Sequence, residues 1–349
     1  MLTVVAVIIL FCFAALLPFI EKHMGNLKLP IYLSLAFAMI LVAGFREVGS
    51  DPDSDNYEYS YRNYYSQNSE DTKEPTFVWM SAALNQVTSD VHALFLAYAL
   101  IAIVLHFIAF RQLSEYWFLP VLVYLSFFYE MHEMIQIRTG VLSGLFMLAI
   151  KPMAERRWFF ALLLILAGSL FHVSGLALFP LLFLSNKPMS TMQKWIWGAV
   201  IPIGYVIYFM GLAIQMYLDI PFIGEKLMNY QQDEEKGINI VSVYAFNYIQ
   251  LFAIFSFYYM LYFYDTLAEK SKYFPLLMKI FAIGTASYAA LAFLPVLGDR
   301  IGYQLKMVNI ILYAALCYTI RPKWAGYAIV FIICCVHFFY VMNYTFFWK

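Results

Sequence analysis

The sequence predicts an all-α polytopic membrane protein with about 10–12 transmembrane helices. Three observations carry that prediction. Of the 349 residues, 63% are hydrophobic, and mean hydropathy is +0.71. Only 13% are charged, whereas a soluble domain carries about a quarter. The apolar residues fall into runs divided by short charged stretches, so lipid must be the solvent for much of the chain.

The runs lie at 2–20, 29–46, 89–110, 116–130, 134–150, 157–171, 174–186, 195–217, 243–264, 273–296, 301–320 and 323–345. No Lys or Arg precedes the first run, whereas Glu21-Lys22-His23 and Lys28 follow it. A secretory signal carries its positive charge in front. The first run therefore reads as a retained span with its N-terminus outside the cytoplasm. Runs six and seven are short for a crossing, which takes about 20 residues. They suit a tilted or re-entrant hairpin around His172, and how they thread sets the count at ten, eleven or twelve.

Loop charge orients the spans. With twelve crossings from an outside start, basic residues outnumber acidic ones twelve to five on the inner side. On the outer side acidic residues outnumber basic ones seventeen to nine, and Lys279 is left inside a span. That is the asymmetry of the positive-inside rule. The whole of 1–349 then forms one integral membrane domain, with outer loops at 47–88 and 218–242. The Glu130–Arg138 cluster, His172 and Asp299-Arg300 fall on the same outer face. Thr76–Val87 suits a short amphipathic segment on the surface.

Composition also excludes. A net charge of zero lacks the basic footprint of a nucleic-acid partner. Cys12, Cys317, Cys334 and Cys335 all sit in apolar runs, without disulfide or metal-ligand spacing, and read as small core residues. Asp51-Pro52-Asp53-Ser54-Asp55 starts like a calcium loop. Asn56 and Arg62 then stand where an EF-hand needs Gly and Glu, so a solvated turn is the simpler reading.

Arg46, Arg138 and Arg300 stand in or beside spans, where arginine is costly and faces a bundle interior or cavity. Arginine also matches phosphate geometry bidentately, so the three are candidate diphosphate ligands. For Arg46 and Arg300, headgroup snorkelling or pairing with Glu47 and Asp299 stays open; Arg138, four residues into its run, points to function. His172, in Leu170-Phe171-His172-Val173-Ser174-Gly175, is a candidate base, with Asp51 and Glu133 as acidic alternatives. The simpler role for His172 is a satisfied core residue. His132 is a weaker rival and lacks the second His of a zinc motif. Tyr57, Tyr61, Tyr64 and Tyr65 follow helical spacing and, with Asp55 and Tyr303, form a candidate sugar-binding set. For any single tyrosine the interfacial aromatic belt is the simpler reading. Asp233-Glu234-Glu235-Lys236-Gly237 reads as an exposed loop.

Five segments together resemble the EpsG family of Wzy-like exopolysaccharide and O-antigen polymerases. They are Phe45-Arg46-Glu47-Val48-Gly49-Ser50-Asp51 with Asp55-Asn56-Tyr57, then Ile137-Arg138-Thr139-Gly140, the basic Glu155-Arg156-Arg157, and Leu170 to Gly175. A fainter one is Asp299-Arg300-Ile301-Gly302-Tyr303. Pro52-Asp53-Ser54 departs from the family's more direct run and leaves open whether Asp51 or Asp55 is the equivalent acid. The resemblance implies a metal-independent membrane glycosyltransferase similar to the GT-C class, without a cofactor. It would join polyprenyl-diphosphate-linked repeat units outside the cytoplasm of a bacterium, in the inner membrane, with a chain-length regulator as a partner. Arg46, Arg138 and Arg300 would hold the diphosphate. His172, Asp51 or Glu133 would take the proton. The alternatives are an O-antigen-type ligase and a lipid-linked oligosaccharide flippase.

Overall fold

The computed structural model describes residues 2–64, 74–210, 245–292 and 295–343. Every regular element among them is helical. Each of the twelve apolar runs contains a helix, although several are broken short. Among the described residues five helices are long and apolar enough to cross a membrane, or up to seven if each bent pair counts as one span. The chain is thus an all-α polytopic membrane protein. Several runs hold helices too short to count as spans, and polar residues divide neighbouring runs at Glu130–Ile135 and at His172.

Two compact units are present. The first comprises 1–183, 270–273 and 309–349, and the second 184–269 and 274–308. The first begins with α1 (Leu2–Ile20), α2 (Lys28–Gly44), α3 (Ser54–Arg62) and α4 (Pro75–Asn85). It continues with α5 (His92–Leu113), α6 (Phe118–Phe127), a π-helical turn at Glu130–Ile135, α7 (Ile137–Ala154) and α8 (Trp158–Phe171). After α8 the single residue His172 is extended, and Val173–Phe183 forms a 3-10 helix. A Cβ on Gly175 would lie 2.7 Å from the Ser169 hydroxyl, and Gly168 and Gly175 both abut Leu142. The chain therefore doubles back at His172, as a hairpin predicts.

Hydrogen bonds define the two ends of this unit. At one end the Glu47 N–H donates to Thr3 Oγ1 (3.1 Å), and His92 Nε2 lies 3.1 Å from the Arg46 carbonyl. At the other end the Glu21 carboxylate accepts from the N–H groups of Trp117 (3.2 Å) and Phe118 (3.3 Å) and pairs with Lys28 (3.5 Å). Arg111 lies over the Trp117 ring there, 4.0 Å from its centre. The segment at 47–88, read as polar loop, is largely folded. α3 and α4 bury Tyr57, Tyr61 and Phe77 against Phe95, Tyr98, Ile137 and Val141, so α3 and α4 cover the ends of α5 and α7. Outward faces carry apolar side chains: Ile9, Phe13 and Leu16 on α1, and Phe159, Leu163, Leu166 and Leu170 on α8. Such faces suit lipid.

The second unit holds α9 (Thr191–Met210), α10 (Tyr248–Tyr262), α11 (Tyr264–Lys270, whose last residue counts with the first unit), α12 (Phe274–Ala290) and α13 (Pro295–Lys306). A Cβ on Gly204 of α9 would meet the Ala286 carbonyl oxygen of α12 at 2.6 Å, so these backbones touch. Lys279, left inside a span by the sequence, donates to the carbonyls of Ser185 (2.5 Å) and Lys187 (3.3 Å). α14 (Asn309–Ala315) and α15 (Lys323–Met342) return to the first unit, where Phe338 stacks on Phe11 at 4.0 Å.

Candidate active site

The loop from α2 to α3 is wound around one ion pair. Arg46 is fully buried, its Nε 3.1 Å from Asp51 Oδ2 and its Nη1 donating to the Ala43 carbonyl at 2.7 Å. The guanidinium lies 3.6 Å from the centre of the Phe95 ring, a desolvated cation–π contact. Its Nη2 has no hydrogen-bond partner among the described residues. The other Asp51 oxygen accepts the N–H groups of Asp53 (3.0 Å) and Ser54 (2.9 Å), which open α3. Ser54 Oγ accepts the Gly49 N–H at 2.8 Å, where φ of +79° suits glycine. Burial lowers the Arg46 pKa and the adjacent Asp51 opposes that shift. Two predicted site residues thus neutralise each other and expose almost nothing.

Arg138 and His172 are brought together by a third residue. Glu74 precedes α4 in extended conformation, with Pro75 at the first helical position, where its missing N–H costs nothing. One Glu74 oxygen pairs with Arg138 Nη1, and the other lies 3.9 Å from His172 Nε2. His172 Nδ1 lies 2.7 Å from Ser174 Oγ and accepts the Ser174 N–H at 3.2 Å. That pattern assigns the ring proton to Nε2, which faces Glu74. Thr76 donates to the Leu170 carbonyl at 2.8 Å and ties α4 to α8 beside the histidine. Tyr57 and Phe77 present rings 5.8 Å and 5.9 Å from the Arg138 guanidinium. Burial raises the Tyr57 pKa, and Arg138 counteracts it, so the phenol stays neutral. The side chains of Arg138 and Glu74 keep 18% and 14% of their surface, whereas Arg46 and Asp51 keep none. Arg138 and Glu74 therefore stay partly accessible, whereas Arg46 and Asp51 do not.

A family model described as EpsG family matches residues 29–348. The chain belongs to the EpsG family. Its members are Wzy-like polysaccharide polymerases, which supports a polymerase-type role in exopolysaccharide or O-antigen assembly. Lipid-linked oligosaccharide substrates and membrane lipid follow as partners. Comparison with curated proteins and with solved structures found no match.

In this EpsG-family chain the other predicted residues occupy separate settings. Glu133 is buried in the π-helical turn, where it accepts from Tyr124 and lies 3.5 Å from His106 Nδ1. His106 also reaches Ser143 of α7 at 3.1 Å. Gly140 allows this crowding, because a Cβ there would sit 2.3 Å from the His132 carbonyl oxygen. Of the tyrosines, Tyr57 lines Arg138, and Tyr61 is buried and donates to the Thr88 carbonyl at 2.7 Å. Asp55 is exposed in the first turn of α3. Tyr65, the 218–242 loop and Asp233–Gly237 lie outside the described residues. Among the described residues no three His, Cys, Asp or Glu side chains gather as metal ligands would.

In the second unit Arg300 is exposed on α13, and Tyr303 packs edge-on against Tyr288 with ring centres 6.4 Å apart. Between those rings lies a cation that the sequence reading missed. Lys306 Nζ is 4.1 Å from the Tyr288 ring centre, 4.9 Å from that of Tyr303 and 3.4 Å from Gln250 Oε1. Its signal was a lysine inside an apolar run. Glu74 was also missed. Its only signal was a Glu-Pro-Thr helix start at the edge of a polar loop.

Proposed function

We propose that this protein polymerises polyprenyl-diphosphate-linked oligosaccharide repeat units on the extracytoplasmic side of the bacterial inner membrane, without a metal. The observation that carries this reading is the partly open Arg138–Glu74–His172 constellation. Arg138 and His172 stand in two of the segments that resemble the family, and Glu74 joins them. The other end of the first unit carries Lys28 and Arg111, which the positive-inside rule assigns to the cytoplasm.

The growing glycan on its lipid diphosphate is the donor. An acceptor hydroxyl attacks the anomeric carbon, the carbon–oxygen bond to the diphosphate breaks, and polyprenyl diphosphate leaves. Arg138 supplies fixed positive charge where negative charge develops, the form of stabilisation that usually dominates such steps. Arg46 acts indirectly, by fixing the loop that starts α3 and so places Tyr57. Asp51 and Glu133 are buried and already bonded, which leaves the His172–Glu74 pair to handle the proton.

The test is polymerisation of a lipid-diphosphate-linked repeat unit by purified protein in EDTA. The wild type should yield a ladder of products. Arg138→Ala should lose about 10²–10³-fold in rate, as removal of one charge-stabilising donor typically does; His172→Ala should also fail. An unaffected Arg138→Ala would remove the arginine from the mechanism. No ladder from the wild type on a verified cognate substrate would favour a ligase, detected by transfer to a different acceptor, or a flippase, detected by movement without a new glycosidic bond.

A further inference from the structure

We infer that Glu74 is the general base of the reaction and that His172 positions it, an inference that rests on the polymerase reading. The carboxylate differs from the two buried acids, Asp51 and Glu133. Asp51 faces Arg46 and two backbone N–H groups and has no exposed side-chain surface. Glu133 accepts from Tyr124 inside the π-helical turn and is 1% exposed. Glu74 keeps an accessible edge and stands between a guanidinium and an imidazole. Arg138 pairs with one of its oxygens, and the other faces His172. His172 is a poor base in this arrangement, because the Ser174 N–H occupies Nδ1 and the proton sits on Nε2. Nε2 lies 3.9 Å from Glu74 Oε1, near enough to steady the carboxylate as it closes on substrate.

The proton balance links base to leaving group. The acceptor hydroxyl proton moves to a Glu74 oxygen as the new carbon–oxygen bond forms. The electron pair of the broken bond goes to the diphosphate oxygen. Protonation discharges the Glu74 carboxylate and ends its ion pair with Arg138. The guanidinium charge is then released to the diphosphate at the moment that group gains charge. Glu74 returns its proton to water, and the ion pair re-forms for the next addition.

The experiment uses full-length protein in nanodiscs, comparing wild type, Glu74→Gln and Glu74→Asp. Rate on a lipid-diphosphate-linked repeat unit is measured across pH, and binding of polyprenyl diphosphate is measured separately. Glu74→Gln keeps the shape and a hydrogen bond to Arg138, so binding should stay within about threefold. Its rate should fall about 10²–10⁴-fold, the usual worth of a general base, and the residual rate should lose the acid limb of the pH profile. Glu74→Asp should recover part of the rate with that limb restored. A Glu74→Gln rate within tenfold of wild type overturns the inference. So does a loss of binding as large as the loss of rate, in either variant, because that marks a structural role. A wild type that makes no polymer refutes the polymerase reading instead, and this inference falls with it.

Discussion

Replacing Arg46 by alanine separates a structural arginine from a substrate-binding one. The side chain makes a 3.1 Å ion pair with Asp51, a 2.7 Å bond to the Ala43 carbonyl and a 3.6 Å stack on Phe95, all without exposed surface. Its loss strands the Asp51 carboxylate in a dry site, with two backbone N–H groups as its remaining partners. Breaking a buried pair from one side costs about 3–5 kcal/mol, because an uncompensated charge stays behind. At roughly 2 °C per kcal/mol for a chain of this size, the apparent melting temperature in detergent should fall by about 6–10 °C. Arg46→Leu combined with Asp51→Asn removes both charges and should recover most of that loss. The assay is thermal unfolding followed by tryptophan fluorescence, run beside polymerisation. An Arg46→Ala protein that melts within about 1 kcal/mol of wild type yet makes no polymer would refute this reasoning and put Arg46 on the diphosphate.

Other outcomes follow from single contacts. Gly140→Ala places a Cβ 2.3 Å from the His132 carbonyl oxygen, so the turn must shift; a loss of about 1–3 kcal/mol in melting is expected, with a falling rate as Arg138 moves. Lys306→Met should melt within about 1 kcal/mol of wild type, since one 3.4 Å bond and two ring contacts barely offset a buried ammonium; a loss above about 3 kcal/mol would show that the cation is needed for folding. In a cysteine-free background, Asp55→Cys should react with a membrane-impermeant maleimide from outside and Lys270→Cys should not; the reverse pattern inverts the topology. Polymerisation should survive EDTA, and a fall restored by Mg²⁺ would overturn metal independence.

The fold was legible wherever physics acts on one segment at a time. The first run, 2–20, and helix Leu2–Ile20 coincide because a span is set by solvent and length alone. The break at His172 was legible for the same reason, since two runs too short for comfortable crossings suit a hairpin. The site was legible only in part. Arg138 stood out because a charge four residues into an apolar run demands a partner, but nothing local named that partner. Glu74 lies 64 positions away, across a loop whose composition says nothing of contacts. Arg46 raised the opposite difficulty. A motif shows that a residue matters, yet a ligand and a staple look alike until Phe95, from a helix 49 positions on, is seen beneath the guanidinium. Tyr57 and Tyr61 share a helical stripe, and only the packing of α3 gives one to Arg138 and the other to Thr88.

The hairpin at His172 bears on the bilayer itself. α8 has 14 residues, so it rises about 21 Å. The 3-10 helix has 11 residues and rises about 22 Å. A hydrocarbon layer is about 30 Å thick, so lipid touching the outer faces of this hairpin meets a wall about 8 Å too low. The membrane must pinch there, or the phosphate plane must dip toward the crest of the hairpin. Either way a lipid-borne phosphate arrives at the level of His172 without leaving its headgroup neighbours. On the proposed polymerase reading, the short hairpin would then serve as a notch in the rim of the protein, a lateral entry for lipid-linked substrates.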